Sequence, residues 1–216
     1  SAWPFEKWQK IKAFSEYHFE GDGVRYRGVF FRPGDIILSN ANLDGNGLYT
    51  ALADPRSFCS HSAVVAFLTA DNRYFPALIE TFEKGVRAVP LNVFLGPRFS
   101  SYNEIYRYKS LGADNLERLN QAALDAIRNV KGYNFDTEDP DRGYMSCSSV
   151  GRFLLQDAGL GKIETKSQIG HPQIQKNLGE LGYTFFRFFA PVDYLLDQKF
   201  AFVGWVDNNQ FDKLLA

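Results

Sequence analysis

Hydrophobic and polar positions change their period part-way along the chain. In the first half they alternate or gather in short apolar bursts, as in "GVRYRGVFFRPGDIIL" (residues 23–38) and "SHSAVVAFLTADNRYFPALIETFEKGVRAVPL" (residues 60–91). Runs of this length, rich in Val, Ile and Phe and broken by turn residues, predict strands. The first stretch reads as two β-rich runs, the second of them interrupted at Pro33-Gly34. The second stretch reads as a three-strand meander with turns at "TADNR" and "EKG". A polar loop, Ser39–Gly47, lies between them.

From residue 115 the period becomes helical. "NLERLNQAALDAIRNVKG" (residues 115–132) places Leu116, Leu119, Ala123, Ile127 and Val130 on one face, with Asp114 as the N-cap and Gly132 as the stop. After the loop "DTEDPDRG", Val150, Phe153, Leu154 and Ala158 repeat at helical spacing and Gly159 closes the segment. "GYTFFRFFA" and "KFAFVGWV" then read as strands joined by "PVDYLLDQ", one helical turn opened by proline. The first twenty residues, rich in Trp, Lys and Phe, predict a helix or an arm packed by its aromatics. With no internal repeat or low-complexity linker, the β, α, β order predicts one α+β domain over residues 1–216. Residues 1–27 form an N-terminal arm, and helices lie against one face of an antiparallel sheet.

Composition narrows the function more than the fold. A chain of 216 residues has room for one large core, and 20 Phe with 11 Tyr point to a large apolar core or cleft. Net charge is −1 with the basic residues scattered, which argues against a nucleic-acid partner. No run approaches the roughly 18 to 20 apolar residues of a membrane span, so the chain as given reads as soluble. It opens "SAWPFEKWQK", so a signal peptide is either already removed or never existed. Two cysteines make no disulfide framework, and three histidines without a CxxC pair make no zinc spacing; no metal or cofactor is expected.

Cys147 stands just ahead of the second helical segment, where the partial positive charge of a helix N-terminus favours a thiolate. It reads as a nucleophile, as a buried apolar filler or as half of a disulfide with Cys59, for which a free thiol is the expectation. A nucleophilic thiol needs a base. His18 and His171 read as surface or packing residues, whereas His61 opens a strand that can face a helix N-terminus. A hairpin turning at Ala70–Arg73 puts Glu80 across from His61 or one position away, placed to orient the imidazole. Asp35 reads as structural, accepting backbone N–H groups in the turn before its strand, and Asp136 as a structural cap.

The motifs "PGDIIL", "SHSAVV", "ALIETF", "GYNFD", "YMSCSSVGRFLLQDAG" and "APVDYLLDQKFAFVGWV" occur in the order seen in the permuted NlpC-like papain-fold hydrolases of the YiiX type, which the chain resembles over residues 28–206. The resemblance implies a circularly permuted papain-like core with Cys147 as nucleophile, His61 as general base and Glu80 as the orienting third member. In that family the cysteine is followed by Ser-Glu-Leu-Val and preceded by an aromatic residue. Here Ser148, Ser149, Val150 and Gly151 follow and Ser146 precedes, so the departures fall on the neighbouring pocket. Tyr144, Ser146 and Ser148 are the candidates for touching substrate there, with a core position as the other reading of Tyr144. The implied activity is cysteine-dependent cleavage of an amide bond in cell-wall peptides, in a bacterial envelope, periplasmic or secreted setting. Two alternatives compete: a lipid acyl hydrolase or acyltransferase similar to lecithin:retinol acyltransferase, and a catalytically silent binding module.

Overall fold

The computed structural model describes residues 17–41, 59–70, 73–137, 141–168, 172–182, 184 and 187–209. The aromatic segment before Tyr17, most of the Ser39–Gly47 loop and His171 lie outside the described residues. The strands are β1 (His18–Glu20), β2 (Gly23–Tyr26), β3 (Val29–Phe31), β4 (Ile36–Ala41), β5 (His61–Ala70), β6 (Arg73–Phe82), β7 (Gly85–Pro90), β8 (Ser100–Tyr108), β9 (Gly132–Tyr133), β10 (Tyr144–Met145) and β11 (Phe200–Asp207). The helices are α1 (Leu91–Phe94), α2 (Ala113–Asn129), α3 (Cys147–Asp157), α4 (Pro172–Glu180) and α5 (Asp193–Leu196).

The predicted meander forms as antiparallel β5, β6 and β7, the heart of a six-stranded sheet in the order β11-β8-β4-β5-β6-β7. Alternation sorts its side chains between two cores. Leu38, Val64, Ala66 and Ile79 face α2 and α3, while Ile37, Ala63, Val65 and Leu78 face the small β1-β2-β3 sheet and α1. The α+β expectation holds, with α2 and α3 on one face, but the opposite face is covered too. The reason is visible in β5: "AVVAFL" is apolar at both parities, the mark of a strand buried on both sides.

Four local readings need correction. Ser39 belongs to β4, where it pairs with His61 of β5 and Asn103 of β8, and not to a loop. Helix α2 begins at Ala113 with Gly112 as N-cap, because Asn115 Oδ1 accepts the Gly112 N–H at 3.0 Å; Asp114 lies inside the first turn. The helix ends at Asn129, and Gly132 has already entered β9. Among the described residues of "GYTFFRFFA", Arg187 makes a bridge to Gln168, and Phe188 and Phe189 enter the core from irregular backbone; Tyr183, Phe185 and Phe186 lie outside the described residues.

The turn before β4 carries a buried ion pair. Gly34 holds a φ of +90°, and a Cβ there would come within 2.9 Å of Leu111 Cδ2. Asp35 accepts the Arg32 N–H at 2.8 Å, as the turn reading expected. Arg107 of β8 adds two bonds of 2.7 Å to the same carboxylate, tying β4 to β8. Asp35→Ala leaves Arg107 without its counter-charge and is expected to cost about 3 to 5 kcal/mol, read as a lowered urea midpoint.

Candidate active site

The site is assembled from the start of α3. Ser146 Oγ accepts the Ser149 N–H at 3.0 Å and Ser149 Oγ accepts the Ser146 N–H at 2.8 Å, a reciprocal cap that starts the helix at Cys147. The cysteine therefore sits in the first helical turn, among N–H groups that have no intrahelical partner. Three contacts set the helix's depth. Ser62 Oγ of β5 donates to Cys147 O at 3.0 Å, Tyr194 Oη donates to Ser148 O at 2.7 Å, and Ser148 Oγ donates to Phe189 O. At Gly151 a Cβ would lie 2.6 Å from Tyr194 Oη and 3.0 Å from Ile36 Cδ1, so glycine permits the close approach.

Ser146 and Ser148 were candidates for touching substrate, and here the structure corrects the reading: both are fully buried, their hydroxyls committed to the cap and to Phe189. Tyr144 on β10 is 45% exposed beside the helix start and remains open to solvent.

His61 and Glu80 meet, though not as the turn alone predicted. Val64 pairs with Ile79, which sets Glu80 against Ala63 and one diagonal step from His61 on the same face. The imidazole reaches across that diagonal, its Nε2 2.7 Å from Glu80 Oε2. With Nε2 taken by Glu80, Nδ1 is the ring nitrogen left for Cys147, whose proximity helps to raise the His61 pKa. Phe94 stacks on the imidazole at 5.9 Å. The other carboxylate oxygen of Glu80 accepts from Arg87 Nε at 2.7 Å and lies 2.6 Å from Nη2, since Glu80 and Arg87 are direct cross-strand partners of β6 and β7.

Burial alone would drive the His61 pKa down. The bonds to Cys147 and Glu80, with the negative charge each can carry, outweigh it and raise the pKa to about 10. Burial would push the Glu80 carboxyl up, but the His61 bond and the charges of His61 and Arg87 hold it below its ordinary value. At neutral pH the imidazole is thus a cation, paired with the Glu80 carboxylate and close to Cys147.

Two residues beyond those expected join the site. Tyr133 of β9 places its hydroxyl 3.5 Å from Cys147 Sγ as donor and 3.3 Å from the Cys147 N–H as acceptor. Burial first, and then the neighbouring Cys147, raise its pKa well above 10, so the phenol stays protonated. Its signal was the motif "GYNFD", but its position depends on the parallel β9–β10 pair, which sets Tyr133 opposite Met145. Arg87 is the other. Counting back from Phe82 opposite Gly85 at the "EKG" turn lands it across from Glu80.

Cys59 is buried, and it forms no disulfide with Cys147, as expected. His18 is exposed on β1, and the Asp136 N–H donates to Asn134 Oδ1 at 2.9 Å. Among the described residues no group of three or more His, Cys, Asp or Glu is placed to hold a metal ion, and no helix is long and apolar enough to cross a membrane.

Residues 31–178 match the family described as permuted papain-like amidase enzyme, YaeF/YiiX, C92 family, a span that includes His61, Glu80, Tyr133 and Cys147. The chain belongs to that family. As a YaeF/YiiX-family protein it is an enzyme, a papain-like amidase of the cysteine hydrolase type. No curated protein and no solved structure matches the chain. The family match reaches from β3 into α4, so it takes in the β4–β7 meander and α3 but leaves β11 outside.

Proposed function

We propose that this YaeF/YiiX-family amidase cleaves amide bonds in cell-wall peptides through an acyl-enzyme on Cys147, on a circularly permuted papain-like core. The observation that carries the reading is the chain of contacts Cys147, His61, Glu80, Arg87 at the start of α3. The order of the parts supports the permutation, since the His61 and Glu80 strands precede the Cys147 helix.

In this mechanism the Cys147 thiolate attacks the amide carbon. A C–S bond forms and the carbonyl electron pair moves to oxygen. The Cys147 N–H and the Tyr133 hydroxyl, which now bond to each other, both donate to that oxyanion. His61 passes the Nδ1 proton to the leaving amine as the C–N bond breaks. It then takes a proton from water, whose hydroxide attacks the thioester; the carboxylic acid departs and the thiolate and imidazolium are restored. Glu80 keeps the ring oriented and its cation paired throughout. The setting we assign is the bacterial envelope, where such peptides occur.

Alkylation with iodoacetamide between pH 5 and 9, with the modified cysteine mapped by mass spectrometry, tests the site. Rapid labelling of Cys147 near pH 6 to 7, slowed by His61→Ala, is expected, because an ordinary thiol titrates near 8.5 and reacts slowly there. Labelling confined to Cys59 would remove the nucleophile. Muropeptides assayed beside lipid esters then decide the acyl donor, and turnover of the esters alone would overturn the peptide assignment.

A further inference from the structure

An exposed aromatic patch lies at the sheet edge, on the same face as Cys147. β11 is the edge strand, and on it Phe202 and Trp205 are 51% and 55% exposed, their rings stacked 6.2 Å apart at 15°. Phe202 also meets Tyr106 of β8 edge-on at 5.6 Å. Two large exposed rings in mutual contact are an unusual surface unless something covers them.

The charge beside the rings says what fits. Trp205 is the register partner of Glu104, and Asp207 of Tyr102, so two carboxylates share the face with the aromatics. The hydroxyls of Tyr102 and Tyr106 donate to Glu104 Oε1 and Oε2 at 2.9 and 2.6 Å, which spreads the carboxylate between them and holds it in place. The Asn209 N–H donates to Asp207 Oδ1 at 2.8 Å. Among the described residues neither carboxylate forms an ion pair. Aromatic faces beside unpaired carboxylates complement an organic cation, which the rings attract through their quadrupoles and the carboxylates through charge.

Register gives the distance to the nucleophile. Trp205, Glu104, Leu38 and Ser62 are successive partners across β11, β8, β4 and β5, and Ser62 holds the Cys147 carbonyl. At about 4.8 Å per strand, Glu104 lies roughly 10 Å and Trp205 roughly 14 Å from Ser62. An extended peptide covers that in about three or four residues.

We propose that the Phe202, Trp205, Glu104 and Asp207 patch is a subsite for the basic side chain of a peptide substrate, at least about three or four residues from the amide cut at Cys147, since the direct line along the sheet crosses the buried Leu38. This deepens, and for its direction rests on, the peptide amidase reading. The test uses Cys147→Ala enzyme, so that binding is read without turnover. The probe is acetyl-Lys-Ala-Ala-Ala-Ala-Ala-Lys-amide, compared with the same peptide carrying norleucine at both ends, and affinity is followed by calorimetry. The lysine peptide is expected to bind about tenfold more tightly at low salt, with the advantage shrinking at about 0.5 M salt. Adding Glu104→Gln or Trp205→Ala is expected to bring the preference below about twofold. Equal affinity for the two peptides, or a preference that survives both substitutions, would overturn the subsite. So would a concentration-dependent dimer abolished by Trp205→Ala without any lysine preference, which would mean that a second copy covers the patch. Slow alkylation of Cys147 beside an intact lysine preference would fail the amidase reading and leave the cation site standing.

Discussion

Cys147→Ala is expected to lower amide hydrolysis by a factor on the order of 10⁴ or more while leaving the fold in place. The size of the loss follows from what remains. His61, Glu80 and Tyr133 keep their positions, and the residual rate is that of water attacking a bound, polarised amide. Cys59 cannot substitute, because it is buried in the apolar core rather than at the helix start. Stability changes little, since the substitution removes one sulfur contact and the His61 cation keeps its bond to Glu80. Initial rates on a peptide amide together with a urea melt check both halves. Unchanged turnover would remove Cys147 from the mechanism, and a lost fold would give it a packing role instead.

The parts of this protein that could be read along the chain are those whose burial is local. The meander was legible because β5 and β6 are apolar runs joined by turn chemistry, and the helix at Cys147 because Val150, Phe153, Leu154 and Ala158 repeat at helical spacing before Gly159. β8 was not legible. "SSYNEIYRY" has only Ile105 as an aliphatic side chain, yet the strand lies between β4 and β11 because its buried Asn103 is satisfied by Ser39, at 2.7 Å, and Ser100. Those are partners brought together by the fold and not by spacing. The opposite error arose at "GYTFFRFFA", whose apolar density reads as a strand while Phe188 and Phe189 fill the core from irregular backbone. The site followed the same rule. Cys147, His61 and Glu80 could be named from helix starts and hairpins, whereas Tyr133 depended on pairing with the strand just before Cys147.

Glu80→Gln is expected to slow hydrolysis by about 10² to 10⁴ and to change how both rate and stability respond to pH. Glutamine fits the same space and can still bond the imidazole, but it removes the buried charge that faces the His61 cation. Arg87 survives the loss because its half-exposed guanidinium is solvated and also lies over Phe82, 4.6 Å from the ring centroid. The signs follow from the two folded-state pKa values. His61 is raised from 6.5 to about 10, so its contribution to stability is complete below pH 6.5 and is lost as the pH rises through about 10. Glu80 is lowered from 4.5, so its contribution is present above pH 4.5 and is lost as the pH falls through its depressed value. The stability gap between wild type and Glu80→Gln is therefore widest between about pH 4.5 and 6.5, and it closes toward pH 10 as the imidazole loses its proton in both proteins. In the rate profile the alkaline limb of Glu80→Gln moves to lower pH, because the cation has lost one of the two partners that sustain it. Arg87→Met should move that limb the other way, since an unclamped Glu80 holds the imidazolium more strongly. Urea melts at pH 5.5 and 9.5 and kcat/KM profiles for the two variants separate these effects from loss of packing, which would lower stability equally at both pH values and leave the limb where it is.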